Sequence, residues 1–288
     1  MNNQKIVCAY NGKKGAYAEQ AVINYFGNED CAFSVESFDD IFNAVVDGRA
    51  DFGMVPIENC TAGFVFQNYD NITRHKDVSI IGATTIRIEH SIMACENASW
   101  DSIEIVTSHP QALGQCSEFI KAHNLLQENA NSTSDGAANV ARLNSPKYAA
   151  IANARNAELY GLKILEKGIE NNPNNYTRFL VIASTELLKS GKLDSKFEKK
   201  SPNMLSLVFD TKNEQGALYH VLGVFDKYNI NLNRLESRPI IGKPWRYWFY
   251  TDGKIREDEK NPEELVQNLL KDLGQYAGDI RLLGVYNE

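Results

Sequence analysis

Between residues 5 and 183 short apolar runs alternate with segments whose apolar residues recur at helical spacing. That alternation restricts the chain to layered α/β architectures. The clearest helical segment spans 38–47, where Phe38, Ile41, Phe42, Val45 and Val46 fall at i, i+3, i+4, i+7 and i+8. Further helices are expected over 17–26, from Pro110 onward, over 135–143 and over 154–160. The runs at 5–10, 33–36, 52–57, 79–85, 87–94, 103–107, 148–151 and 177–183 read as strands.

The pattern breaks over 187–202, LLKSGKLDSKFEKKSP, which is lysine-rich and nearly free of apolar residues after Leu188. A linker is expected there, with a solvated surface helix as the alternative. Beyond it the order is βαββαβ, a ferredoxin-like arrangement. Strands are expected over 204–211, 231–239, 245–251 and 280–286. The helix over 215–228 points Leu218, Val221, Leu222 and Phe225 inward, and the one over 262–273 points Leu265, Val266, Leu269 and Leu270 inward. The expected division is therefore a catalytic-sized module over 1–185, a linker over 186–201 and a small domain over 202–288.

A length of 288 residues accommodates about two domains. The formal charge of −7 argues against a general nucleic-acid binder, which needs a basic surface. The opening segment MNNQKIVCAYNG carries no signal-peptide apolar run. No run approaches the ~20 residues of a membrane span. A cytoplasmic protein without membrane contact is expected. Cys8, Cys31, Cys60, Cys95 and Cys116 are scattered, with no CxxC pair and no metal-ligand spacing, and read as reduced thiols, mostly buried.

Five segments concentrate polar residues and glycines at strand ends, where open α/β sheets bind ligands. Asn11 to Tyr17 lets the backbone approach an anion at a helix start, or forms a plain turn. Val55 to Gly63 exposes Glu58, Asn59 and Thr61 after a strand. Ser108 or His109 caps a helix with Pro110 in its first turn. Asn131 to Asp135 stands at another helix start, and Asn174 to Phe179 precedes a buried strand. Together they offer hydroxyls, amides and one arginine, which suits a small, polar, doubly charged molecule held between two lobes.

PIENCTAG, SHPQALGQC, STSDGAA, AAIANARNAELYGL and NNPNNYTRF, in this order, resemble the prephenate dehydratase family. Gly216-Ala217-Leu218 with Leu222 resembles the GALxxxL segment of that family's ACT domain, and Glu236-Ser237-Arg238-Pro239 its ESRP segment. The resemblance implies a two-lobed catalytic module like type II periplasmic binding proteins, with the active site in the cleft, followed by a ferredoxin-like ACT domain. It implies decarboxylating dehydration of prephenate to phenylpyruvate in phenylalanine biosynthesis, driven by aromatisation and needing no cofactor or metal. Thr177 would be the key catalytic residue, hydrogen-bonding the departing oxygen, with the identity of the proton donor open. Arg178 would pair with a carboxylate or brace the cleft wall. Asn59, Ser108, Gln111, Thr133 and Phe179 would line the substrate. Inhibitory L-phenylalanine would bind Gly216, Ala217, Leu218, Asn231, Glu236, Ser237 and Arg238 between paired ACT domains, in a homodimer or homotetramer. Cys60 and Ala18 depart from the family's hydroxyl residues, which puts a side-chain contact from the first helix in doubt. An arogenate dehydratase and a non-enzymatic ACT-linked sensor are the alternative readings.

Overall fold

The computed structural model describes residues 6–191, 202–212 and 214–288. The first lobe is built from β1 (Cys8–Asn11), α1 (Tyr17–Phe26), β2 (Ala32–Val35), α2 (Phe38–Val46), β3 (Phe52–Asn59), β4 (Gly63–Phe64), α3 (Phe66–Arg74) and β5 (Val78–Arg87). Local signals mark some of its helix ends. At α2, Ser37 and Asp40 form a reciprocal capping box, and α1 stops at Gly27 in the left-handed region. The chain then crosses to a second lobe. That lobe comprises β6 (Ser91–Ala94), β7 (Ile105–Ser108), α4 (Pro110–Gln115), α5 (Ser117–Ala122), β8 (Leu126–Asn129), α6 (Thr133–Leu143), β9 (Tyr148–Ala152), α7 (Arg155–Tyr160) and β10 (Lys163–Lys167). Its sheet runs β10-β6-β9-β7-β8.

The return strand β11 (Tyr176–Ser184) inserts antiparallel between β3 and β5, completing the order β2-β1-β3-β11-β5. Burial on both faces explains its nearly unbroken apolar run. Phe179, Val181 and Ala183 pack with Ala18, Ala21 and Val22 of α1. Leu180 and Ile182 share the opposite core with Met204, Val208, Tyr250, Leu283 and Tyr286.

Those last residues belong to the C-terminal unit. It contains β12 (Met204–Thr211), α9 (Ala217–Lys227), β13 (Asn231–Pro239), β14 (Tyr247–Lys254), α10 (Pro262–Leu273) and β15 (Ala277–Tyr286). Its strands are all antiparallel, in the order β13-β14-β12-β15. One sheet face carries α9 and α10 over a core of Leu205, Leu207, Phe209, Val221, Phe225 and Leu269. The other lies on the first lobe. There Arg281 donates to the carbonyls of Ile72, Thr73, His75 and Val78, satisfying acceptors at the end of α3. The Ala83 N–H donates to the Asn287 carbonyl at 3.3 Å.

Several expectations need correction. A short helix α8 (Thr185–Lys189) occupies the start of the stretch expected as linker, held by the Ser184 cap. Residues 192–201 of that stretch, and Lys5 of the first strand, lie outside the described residues. The helix α3 is absent from the sequence reading because two of its buried positions are asparagines, Asn68 and Asn71. The edge strand β8 is exposed along its length and carries no apolar alternation. Leu222 is only half-buried, because the inward stripe of α9 runs through Ala217, Val221, Val224 and Phe225.

Gly284 marks where the C-terminal sheet meets β5. A Cβ there would stand inside the contact distance of the Ile80 carbonyl oxygen, which is backbone and cannot yield. Gly284→Ala should therefore loosen this docking and cost about 1–3 kcal/mol, as overpacking does. A lowered denaturant midpoint checks it; an unchanged midpoint would show that the contact carries no weight.

Candidate functional site

The pairing of β3 with β11 sets Thr177 opposite Asn59 and Arg178 opposite Glu58. Neighbouring strand residues alternate faces, so Thr177 and Asn59 share one face and Arg178 and Glu58 the other. On the first face the Asn59 amide is oriented without ambiguity. Its Oδ1 accepts from the Thr61 N–H at 3.0 Å, the Thr61 hydroxyl at 2.7 Å and the Ala62 N–H at 2.8 Å. Its Nδ2 must then face β11, where it donates to Asn175 Oδ1 at 2.8 Å and Thr177 Oγ1 at 2.9 Å. The Thr177 oxygen thus already accepts a bond, which leaves its own proton to donate elsewhere. Asn175 is 1% exposed and its Nδ2 is buried without a partner. A stranded buried donor beside a half-buried hydroxyl is suited to an incoming oxygen.

The site lies where the lobes close on each other. Gln115 Nε2, from the second lobe, donates to Thr61 Oγ1 at 3.0 Å. Gln115 Oε1 accepts from His90 Nε2 at 2.9 Å, and the Tyr17 hydroxyl of α1 lies 2.9 Å from His90 Nδ1 and 2.8 Å from the Glu89 carbonyl. His90 is buried; burial depresses its pKa, against the opposing influence of Gln115 and Glu170. The uncharged ring then donates through Nε2 and accepts through Nδ1. The rim carries further cross-lobe contacts. Lys13 pairs with Asp135, Arg155 with Glu29 and, at 3.4 Å, with Glu19. Asn156 Nδ2 donates to the Gly15 carbonyl at 2.9 Å.

Of the two readings of the Asn11–Tyr17 loop, an anion at the helix start or a plain turn, the first meets an anion that the protein itself supplies. The Gly15 N–H donates to Glu19 Oε2 at 2.7 Å, and Glu19 is buried. Gly15 has φ +89°, and a side chain there would collide with Asn156, so the glycine is needed for closure rather than for a ligand.

The expected site residues separate. Thr177 and Asn59 come together. Arg178 does not join them as a cleft-side carboxylate partner. Strand alternation sends it to Asp252 at 2.8 Å and Glu288 at 2.7 Å. Ser108 is fully buried and its hydroxyl donates to the Ile151 carbonyl at 2.5 Å, so it braces β7 rather than facing a ligand. Phe179 is 2% exposed and packs under α1 as core. Gln111 is exposed on α4, and Thr133 is the first residue of α6, whose Asp135 meets Lys13 across the cleft. Cys60 is the exposed thiol of the five, and the other four are buried. Burial pushes the Cys116 thiol up to about 12.

The candidate regulatory residues also divide. Gly216, at φ +79°, opens α9; Ala217 is buried and Leu218 half-buried behind it. Glu236, Ser237 and Arg238 align through β14 with Val208, Phe209 and Asp210 at the end of β12 that leads to Gly216. Asn231 aligns with Met204 at the other end, about 20 Å away by strand rise. Within one chain it does not join the others. Arg238 is already paired with Asp70 of α3 at 2.6 Å.

Sequence reading missed Asn175, Gln115, His90 and Tyr17 as site residues. Asn175 lies in the quoted NNPNNYTRF segment, two places before Thr177 and hence on the same strand face, and Gln115 one turn beyond Gln111. Tyr17 closes the Asn11–Tyr17 segment, and no local signal marks His90.

Comparison with known proteins gives the family. A family model described as prephenate dehydratase matches residues 8–187. The bifunctional chorismate mutase/prephenate dehydratase of Escherichia coli K12 is 35% identical over 283 residues, covering 96% of this chain and 70% of that protein. The prephenate dehydratase of Methanocaldococcus jannaschii is 34% identical over 280 residues, 96% of each chain. The crystal structure of prephenate dehydratase from Arthrobacter aurescens in complex with L-Phe superposes with a TM-score of 0.83 at 26% identity, covering 98% of this chain and 90% of that one.

The depressed pKa of His90 carries a sign. The unfolded chain takes up a proton as pH falls through about 6.5, while the folded chain resists it until lower pH. Stability is therefore full above that value and declines below it. His75, also depressed by burial, acts in the same direction. His90→Gln should flatten part of the drop in denaturant midpoint between about pH 7.5 and pH 5.5. An identical slope in the variant would mean that His90 is not held neutral.

Proposed function

The chain belongs to the prephenate dehydratase family and is a carbon–oxygen lyase of that kind, and we propose that the cleft face of Thr177 and Asn59 is where prephenate becomes phenylpyruvate. One observation carries the assignment of roles: Asn59 donates to Thr177 Oγ1 at 2.9 Å, so the threonine proton is left for the departing oxygen. The ring carbon–carboxylate bond breaks to release carbon dioxide. Its electron pair forms the last ring double bond and expels the ring hydroxyl, which leaves as water once protonated. Aromatisation drives the step. Thr177 stabilises the charge that grows on the leaving oxygen, where a well-placed donor is most effective.

The stranded Asn175 Nδ2 is a second donor for the same substrate. With Arg178 directed elsewhere, the two carboxylates meet neutral donors: the hydroxyl of Thr133 and the amides of Gln111 and Gln115. Closure of the lobes through Gln115, His90 and Tyr17 excludes water and strengthens these bonds. The catalytic module is read as a type II periplasmic-binding-like pair of lobes, and the C-terminal unit as an ACT domain. The L-Phe complex of the Arthrobacter relative supports phenylalanine as its ligand. Since Asn231 stands far from Gly216 in one chain, a second copy would complete the ligand site, in a homodimer or larger symmetric assembly. Among the described residues no helix is long and apolar enough to cross a membrane. We place the enzyme in the cytoplasm, with its small soluble substrate.

Thr177→Val keeps shape and removes the donor, so kcat should fall by roughly 10²-fold or more while KM changes little. Loss of prephenate absorbance follows it, and near-normal turnover in the variant would rule the role out. Phenylalanine should bind the full-length protein in calorimetry and lower its turnover; an absence of binding heat would remove the sensing role and leave the catalytic one intact.

A further inference from the structure

The faces turned away from the cleft hold a buried charge network with no part in the reaction as described. Asp252 Oδ2 of β14 accepts from Arg178 Nη1 at 2.8 Å and from Arg234 Nη1 of β13 at 2.9 Å. Arg234 Nη2 continues to the Glu58 carboxylate. Asp252 Oδ1 accepts from Ser206 of β12 at 2.5 Å, and Ser206 lies 2.8 Å from the Tyr286 hydroxyl of β15. All four strands of the C-terminal sheet thus bear on two residues of the first lobe. Arg234 also lies over the rings of Phe64 and Tyr69, at 5.4 and 5.8 Å, which fixes its fork.

Those two residues are neighbours of the reacting pair. Glu58 directly precedes Asn59, and Arg178 directly follows Thr177. Both pairs sit in register across the same two strands, and the register shifts just beyond Arg178. Apolar contacts already dock the C-terminal sheet on this face. Burying charges there adds no evident stability over an apolar contact. What the network adds is direction, because each guanidinium holds a fixed geometry to its carboxylate. Burial works against the charge on Arg178, but Asp252, Tyr286 and Glu288 hold its pKa above the usual arginine value, so the ion pair persists.

We propose that Arg234 and Asp252 are positioning residues: through Glu58 and Arg178 they set how Asn59 and Thr177 are presented to the cleft, and they carry the state of the C-terminal unit to the reaction. Arg234 lies two residues before Glu236 on β13, so a ligand at Glu236–Arg238 that shifts this strand shifts the guanidinium with it. The regulatory half rests on the phenylalanine reading above, whereas the positioning half does not.

The test uses the full-length protein and Asp252→Asn, which keeps the shape and removes the charge. Thermal melting and circular dichroism first establish that the variant folds. Then kcat should fall at least tenfold with KM within about threefold. Calorimetric phenylalanine affinity should stay within about threefold of the parent, while inhibition at saturating phenylalanine shrinks or disappears. A folded variant with parental kcat and parental inhibition overturns the proposal. If the parent protein binds no phenylalanine, the sensing reading fails by itself, and the kcat comparison still decides the positioning role. Should Asp252→Asn fail to fold, Glu58→Gln interrogates the half-exposed end of the network with the same readouts, and unchanged kcat and inhibition there overturn the proposal equally.

Discussion

The antiparallel pairing of β3 with β11 is the constraint on which the rest of the molecule depends. It brings two segments more than a hundred residues apart into one sheet and fixes their register. A slip of β11 by one residue would exchange its faces, sending Thr177 toward the C-terminal sheet and Arg178 into the cleft, away from Asn59 and Glu58. Apolar residues prevent such a slip. Phe179, Val181 and Ala183 are needed under α1, and Leu180 and Ile182 against the C-terminal unit. The site's geometry is thus a by-product of where a buried strand must put its side chains.

The two-crossover layout follows from that same strand. The chain leaves the first lobe after β5 and re-enters as β11, so the second lobe is an insertion attached by two short connections. Such a lobe can approach the first closely, and here it does so through side chains rather than through a shared core. Gln115, His90, Asn156 and Arg155 each meet a partner across the cleft. Polar closure is weaker and more adjustable than apolar closure, which suits a site that must open to admit substrate and release carbon dioxide.

Neutral donors on one face and charges on the other form a division of labour. The cleft side presents hydroxyls and amides whose orientations are set by neighbours, as the Asn59 amide is by Thr61 and Ala62. The far side concentrates arginines and carboxylates between two packed sheets, where screening by salt is weak. Carbon dioxide leaves uncharged and the negative charge passes to the departing oxygen, so the reaction gains more from placed donors there than from a strong cation, which would hold the carboxylate it must shed.

By itself the sequence determined the elements and much of the chemistry. Periodicity sets α1, α2 and the C-terminal βαββαβ order, because helix and strand periods are local properties. The resemblance rested on short motifs, and Thr177 and Asn59 were legible in two of them. The edge strand β8, the asparagine-bearing α3, and the roles of His90 and Tyr17 were not, since each depends on what lies beside it in space. Only the tertiary structure decided which way the paired motifs face. TRF reads as one catalytic unit along the chain, yet the β pleat turns Arg178 to Asp252, away from Thr177 and Phe179, which share a face, with Thr177 toward the cleft and Phe179 further along in the core. A pleated strand alternates its side chains whatever their chemistry, and which face receives which residue is set by the partner strands and the sheet packed behind them.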